Sequence, residues 1–323
     1  MAIQVQSVQQ INAASEKSTF TLEELPWDKG VDRTKQFGPD SMLHLTYCPS
    51  YAQLNPEEKL YYNQVHSMGI CEEFTVLEEL QFVRGLGHLL TSSTFKMDAA
   101  MREAIHTFIE EEKKHSAMFK RLLVAAAPEV YQSVEQAEQN FRICALSPMD
   151  RRAVYFVLDR PEFFMGWVWS ALLFEEKTLE FYRKYNTCPD SANVDPLFHA
   201  VHKYHAMDEI RHVHLDHHFV DMLWEPASRF KRWWNAQLVV MGLRSFVYPK
   251  RTAKRAIQLL VQKFPRLASL EPVLQAEMRA VSKNPVWHEA FYSRKTMPRT
   301  FALFDRFPEL AGLSGVFQCY RPQ

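Results

Sequence analysis

Apolar residues recur every three to four positions over four long stretches of the chain, which is the period of an amphipathic α-helix. The stretches cover about residues 55–87, 98–127, 161–185 and 197–225. The first opens with Asn55 and Pro56, a capping residue followed by proline at the first helical position, and Pro128 closes the second. Four helices of this length predict a helical bundle.

The remaining segments contain more proline and glycine, which predicts shorter elements. Residues 1–54 are expected to form an irregular lead-in, and residues 128–160 a connection with helices near 133–141 and after Pro148. Residues 226–323 are expected to form accessory helices and an irregular tail. We therefore predict one all-α domain over residues 1–323, with the bundle at 55–225. The prolines that are expected to break the accessory helices are Pro249, Pro265, Pro272 and Pro285.

Composition favours helix over sheet and narrows the range of partners. The 323 residues include only 9 glycines, and 38 basic residues balance 38 acidic ones. A formal charge of zero gives no electrostatic drive towards nucleic acid or an anionic membrane, and no apolar run reaches the about 20 residues of a transmembrane helix. The basic, aromatic stretch at 229–255 is interpreted as a helix that packs on the bundle. Five scattered cysteines suit a reducing compartment, so we expect a cytoplasmic protein that binds neither nucleic acid nor membranes.

Acidic and histidine side chains interrupt the apolar stripes of the long helices. They are Glu112 and His115 in the second helix, Glu175 in the third, and Glu209 and His212 in the fourth. Glutamate and histidine three residues apart share one helical face. A single Glu-x-x-His is weak evidence, and a single glutamate in a stripe is usually solvated. Two copies of the motif plus an inward glutamate indicate a shared site, because buried carboxylates need a neutralising partner.

The first helix offers two adjacent glutamates, Glu78 and Glu79. Its apolar stripe runs through Val65 and Val76 and reaches Glu79, although a solvated Glu79 remains an alternative. In the third helix Glu176 shares a face with charged residues and is predicted to be solvated. One inward carboxylate is thus expected from each of these two helices.

The order along the chain is Glu, Glu-x-x-His, Glu, Glu-x-x-His, with one unit on each long helix. Ferritin-like proteins bind two metal ions in a four-helix bundle with this set of side chains. Four carboxylates can bridge and charge-balance two ferrous ions, and two imidazoles give one nitrogen to each. Asp208 and Glu111 precede the motif glutamates and are placed to accept hydrogen bonds from histidine ligands. The sequence therefore predicts a ferritin-like four-helix bundle with a carboxylate-bridged dimetal site.

His205 is a further candidate, one turn before Glu209 on the same face. The six-residue pattern does not need it, so it is either a third histidine ligand or a residue of the surrounding pocket. A histidine in this position, added to the six-residue pattern, resembles the diiron N-oxygenases of the para-aminobenzoate N-oxygenase family.

The resemblance covers about residues 60–220 and implies a site with seven ligands. It favours Glu79 over Glu78, because Glu73 precedes Glu79 by six residues, as a glutamate precedes the family's first ligand. The implied ligands are Glu79, Glu112, His115, Glu175, His205, Glu209 and His212.

The resemblance also implies an activity. The protein would be a non-haem diiron oxygenase that oxidises a small molecule, above all by N-oxygenation of an amine. Its cofactor would be two iron ions that cycle between Fe2+ and Fe3+, with dioxygen as co-substrate. Electrons would come from a separate reductase as external donor, since the chain has no glycine-rich nucleotide loop, and a homodimer is compatible with this activity.

Proteins of other classes use the same bundle. A diiron desaturase or decarboxylase that acts on an acyl chain differs only in its substrate cavity. A non-enzymatic, iron-binding ferritin-like protein would use the same ligands. A radical-generating subunit would need a tyrosine beside one iron, for which Tyr182 and Tyr204 are the candidates.

Overall fold

The computed structural model describes residues 5–248 and 250–322, and within these ranges the chain is helical. One isolated bridge, between Gln36 and Val194, is the only strand-like pairing in the described ranges. The helices are α1 (Val8–Ser18), α2 (Pro56–Leu77), α3 (Gly85–Thr91), α4 (Ala99–Ala126), α5 (Pro128–Tyr131), α6 (Pro148–Leu158), α7 (Trp167–Asn186), α8 (Pro196–Phe219), α9 (Arg229–Val247), α10 (Lys250–Lys263), α11 (Glu271–Ala280), α12 (Pro285–Phe291) and α13 (Pro298–Asp305). The break expected at Pro249 lies outside the described residues.

The four long predicted helices form the bundle as α2, α4, α7 and α8. Their starts follow from the sequence: Asn55, Asp98 and Asp195 each accept a backbone N–H of the first turn with the side chain. Helix α7 packs against α8, and α4 packs against both α2 and α8. The predicted all-α bundle is thus confirmed, although α7 begins at Trp167 and not at residue 161.

Two bundle helices continue into π-helical segments. Helix α2 runs into a π segment at Glu78–Arg84, and α8 runs into another at Val220–Trp224. A π turn holds more residues than an α turn, so it changes the direction of the side chains that follow it. Faces assigned with a constant 3.6-residue period therefore become unreliable from Glu78 onwards.

The sequence suggested that the segment before the bundle is irregular. It nevertheless contains one regular helix, α1. Helix α1 starts with a reciprocal cap between Ser7 and Gln10, and it packs on α4 and α8. Ser15 and Ser18 of α1 accept hydrogen bonds from the guanidinium group of Arg211 on α8. Helix α1 thus covers one side of the bundle at the level of the motif residues.

The segments after the bundle contain the predicted accessory helices, whereas the tail that was expected to be irregular includes α13. Helix α9 packs inwards through Ala236, Val239 and Leu243, whereas Phe230 and Trp233 on its outer face are exposed. Helix α13 contacts α7. No helix in the described parts of the chain is long and apolar enough to span a lipid bilayer.

Candidate metal centre

Seven buried side chains meet inside the bundle and form two adjoining groups. In each group, one potential ligand atom from every residue lies within 4.8 Å of the others. All seven residues are at most 2% exposed. The first group consists of Glu78, His115 and His205, and the second of Glu112, Glu175, Glu209 and His212. The bundle therefore brings together six of the seven residues that the sequence suggested.

Two carboxylates, those of Glu112 and Glu209, lie between the histidines of the two groups. Glu209 Oε1 lies 2.5 Å from His205 Nε2, and its Oε2 lies 2.6 Å from His212 Nδ1. Glu112 Oε1 lies 3.4 Å from His115 Nδ1 and 3.1 Å from His212 Nδ1. Both carboxylates thus occupy the position from which a carboxylate can bridge two metal ions.

Glu78, and not Glu79, is the glutamate of the first long helix that enters the cluster. The Glu79 carboxylate is bonded by the Ser116 hydroxyl at 2.6 Å and by the Lys120 ammonium group, and its side chain is 32% exposed. The stripe used for the prediction also contains Glu72, which accepts backbone N–H groups from residues 142–144. That face of α2 therefore packs on the connecting segment and not on the bundle interior, so the prediction of Glu79 was wrong.

The cluster fits a pair of divalent cations. Both oxygens of Glu78 and of Glu112 lack a hydrogen bond of good geometry within the described chain, as does Nδ1 of His115. Burial raises the pKa of Glu78 to about 7, and burial together with Glu209 raises the pKa of Glu175 well above its usual range. Carboxylates are costly to bury without compensation. Four of them beside three imidazoles could balance the four positive charges of two metal ions.

The comparison with known families decides the identity of the chain. Residues 4–293 match the model of the family described as p-aminobenzoate N-oxygenase AurF. The chain belongs to this family. It is therefore an oxidoreductase of the diiron oxygenase type with a ferritin-like fold.

The other comparisons add little to this assignment. No match is found among the curated proteins. Similar solved structures are variants of R2-like ligand-binding oxidase with a reconstituted Mn/Fe cofactor. One has 14% identity and a TM-score of 0.47, covering 85% of this chain and 93% of its own. Another has 16% identity and a TM-score of 0.46, covering 91% and 95%.

A second layer of charged groups holds two of the cluster histidines in this AurF family member. Asp208 Oδ2 lies 3.0 Å from His115 Nε2, and Glu111 Oε2 lies 2.8 Å from His212 Nε2, as predicted from their positions before the motif glutamates. Arg211 donates to both of these carboxylates. The outer ring nitrogens are thereby occupied, so Nδ1 of each histidine points to the cluster carboxylates.

Glu176 was predicted to be solvated and is in fact buried, with 4% of its surface exposed. Its carboxylate accepts the backbone N–H groups of Arg299 and Thr300, in the first turn of α13. A carboxylate at a helix N-terminus satisfies free N–H groups and interacts favourably with the helix dipole. The neighbouring Glu175 points into the cluster, as predicted. No pattern along the chain indicated that the N-terminus of a distant helix would lie against Glu176.

Three other histidines of α8 are buried outside the cluster. His214 and His217 are only 5% and 4% exposed. His214 accepts the backbone N–H of Gln6 through Nδ1. His202 is enclosed by aromatic rings and stacks on Tyr185 with ring centroids 4.8 Å apart. Burial lowers the pKa of His202 to about 3, so this ring is neutral at physiological pH.

Proposed function

We propose that this protein is a dioxygen-dependent diiron oxygenase that oxidises the nitrogen atom of a small amine. The observation that carries the proposal is the position of His205, the third histidine of the cluster. Its Nε2 lies 3.1 Å from Glu78 Oε1 and 2.5 Å from Glu209 Oε1. Membership of the AurF family supports the same activity, as do three histidines in place of the two in the general ferritin-like pattern.

The two groups of the cluster would each hold one iron ion. Glu78, His115 and His205 would bind the first, Glu175 and His212 the second, and Glu112 and Glu209 would lie between them. When bound, the two ions supply the electrons that activate dioxygen. We further propose that residues 55–225 form the catalytic bundle and that the remaining segments enclose it.

The surrounding side chains would hold the histidines in place and exclude water. Phe74 and Phe119 flank His205, with ring centroids 5.0 and 4.9 Å away. Phe108 stacks on His212 with a centroid distance of 3.7 Å. Dry, fixed walls strengthen electrostatic interactions in a site and suppress side reactions with water. These aromatic contacts would keep the ligand nitrogens aimed at the same points through each turnover.

Electron supply and location complete the proposal. Electrons would be delivered by a separate reductase that acts as external donor, and the active form would be compatible with a homodimer. The cysteines are free, and Cys48 and Cys71 are buried, which suits the reducing cytoplasm.

The proposal is tested with protein that is loaded with ferrous iron under anaerobic conditions and then exposed to dioxygen. Iron analysis should give two ions per chain, and 18O from labelled dioxygen should appear in the hydroxylamine or nitroso product of an aryl amine. A product without 18O, or oxidation of acyl chains alone, would contradict N-oxygenation and indicate another reaction known for this type of bundle. Consumption of dioxygen with no organic product would favour the non-enzymatic, iron-binding alternative.

Substitutions of two buried glutamates distinguish the loss of a metal ligand from a general effect of removing a buried carboxylate. Glu112→Ala removes a carboxylate that lies between the two groups and should abolish stable iron loading. Glu176→Ala removes a buried carboxylate that contacts α13 and not the cluster, and it should leave two ions per chain. The reverse result would contradict the assignment of the metal-binding face.

A further inference from the structure

Asp216 is a buried carboxylic group that the proposed metal site does not use. It is 0% exposed, and neither of its oxygens has a hydrogen-bond partner among the residues that the structure describes. A buried polar group without a partner destabilises the fold. Native proteins keep few such groups, so each one calls for a partner or a chemical role.

The helical position of Asp216 places it beside the metal cluster. Residues 205, 209, 212 and 216 follow one another by four, three and four positions on α8, so they share one face. Asp216 lies one turn beyond His212, which is about 5–6 Å away at the level of the Cβ atoms. Burial raises the pKa of Asp216 well above its usual range; His212 opposes this shift, and Glu209 and Glu112 add to it. These electrostatic interactions agree with a position close to the second group of the cluster.

Aromatic side chains lie beside this turn of α8. Phe108 stacks on His212 at 3.7 Å and lies 6.3 Å from Phe219, so it spans the turn that contains Asp216. The ring centroids of Trp167 and Phe219 are 6.3 Å apart. The indole N–H of Trp167 also has no hydrogen-bond partner within the described chain. We call these side chains the aromatic wall: Phe82, Phe108, Trp167 and Phe219.

Two structural roles could explain a buried carboxyl group at Asp216: orienting a histidine ligand, or binding a metal ion directly. An outer carboxylate that orients a histidine ligand is already present for His115 and for His212, as Asp208 and Glu111. A metal ligand would belong to one of the two groups of mutually close atoms, and Asp216 belongs to neither. The partner of Asp216 is therefore expected to come from outside the described chain.

We propose that Asp216 recognises the substrate, accepting an N–H hydrogen bond from an aryl amine held against the aromatic wall. The inference rests on the proposed amine oxygenation and adds the residue that selects the amine. Accepting an N–H bond leaves the lone pair of the amine nitrogen free to face the cluster one turn away. An analogue of the same shape without the N–H group leaves the buried carboxyl group unpaired, so it binds more weakly.

The test compares binding of aniline and toluene to anaerobic, ferrous-loaded protein by calorimetric titration. The wild type should bind aniline at least about tenfold more tightly than toluene, the effect of one hydrogen bond to a buried carboxyl group. Asp216→Leu should reduce this ratio to about one, and Asp216→Asn, which keeps one acceptor oxygen, should retain part of it. Asp221→Asn, at an exposed position further along the same chain segment, is the matched control and should keep the full ratio.

Iron content and thermal unfolding of the metal-free variants complete the test. Both Asp216 variants should hold two irons per chain, and Asp216→Leu should unfold at a higher temperature than the wild type because the unpaired carboxyl group is gone. Loss of iron in both variants would make Asp216 part of the metal site and overturn the inference. An unchanged aniline preference in Asp216→Leu would overturn it while amine oxygenation stands. Equal binding of aniline and toluene by the wild type would also overturn the inference, whereas amine oxygenation itself is overturned only by the absence of labelled hydroxylamine or nitroso product.

Discussion

Replacement of Glu78 by glutamine is predicted to stabilise the metal-free protein at alkaline pH while removing iron from the loaded one. Burial raises the pKa of Glu78 from the ordinary 4.5 to about 7. The folded state holds this proton more tightly than the unfolded state. The contribution of protonated Glu78 to the free energy of unfolding is therefore fully present below pH 4.5. It is lost as the pH rises to about 7.

The size of the effect follows from the same shift. At 1.36 kcal/mol per pH unit, a rise from 4.5 to about 7 makes the ionised carboxylate about 3 kcal/mol less favourable in the folded protein. Glu78→Gln is neutral at every pH, so it should match the wild type near pH 4.5 and be about 3 kcal/mol more stable at pH 8. In the iron-loaded protein the effect of Glu78→Gln is expected to be the opposite, because the substitution removes a metal ligand. Losing an outer partner of a ligand already weakens metal binding about 10–100-fold, and losing the ligand itself should cost more.

The assay is urea unfolding of metal-free protein at several pH values, followed by iron analysis after anaerobic loading. Glu79→Gln is the matched control, because Glu79 is the adjacent residue and lies outside the cluster. Burial raises the pKa of Glu79, but bonds from Lys120 and Ser116 outweigh this and lower it. Its contribution to stability is therefore constant above about pH 4.5. Glu79→Gln should lower stability by a similar amount from pH 5 to 8 and keep two irons.

Two results would refute this reasoning. The first is an unchanged pH dependence of unfolding in Glu78→Gln. The second is retention of both irons in Glu78→Gln together with loss of iron in Glu79→Gln. The second result would restore the assignment that the sequence had favoured.

Three further substitutions test the layers around the cluster. Glu72→Ala leaves the hydroxyl group of Tyr131 and three backbone N–H groups without their acceptor; it should lower the free energy of unfolding by about 4 kcal/mol, measured in urea. Arg211→Lys keeps the charge but cannot bond both outer carboxylates in the same way, so it should weaken iron binding about 10–100-fold in competition with a chelator. Exposed Lys113→Ala is its control. Glu176→Ala should cost about 2 kcal/mol through the lost cap of α13, with normal iron content.

Much of the fold and of the site was predictable from local patterns. The apolar period located α2, α4, α7 and α8, and capping residues marked the starts of α2, α4 and α8, because these signals depend on neighbours along the chain. The Glu-x-x-His spacing fixed Glu112 with His115, and Glu209 with His212, on one face of each helix. His205 followed from the same geometry. The order of these units along four helices was sufficient to indicate a ferritin-like dimetal bundle.

The choice between adjacent glutamates was made by the tertiary structure. Helix α2 is buried on several faces, so its apolar pattern does not distinguish the face towards the cluster from the face towards the connecting segment. The π segment that begins at Glu78 shifts the later side chains away from a constant period. The wrong choice of Glu79 has both of these causes.

The partners of buried polar groups were also beyond the sequence. Glu176 meets the N-terminus of a helix more than a hundred residues away, and Arg211 meets two serines of α1. The isolation of Asp216 appears only when every packed segment is in place. Periodicity along a chain records which faces avoid water. Which polar groups find a partner on those faces depends on contacts between distant segments, and only the folded structure fixes these contacts.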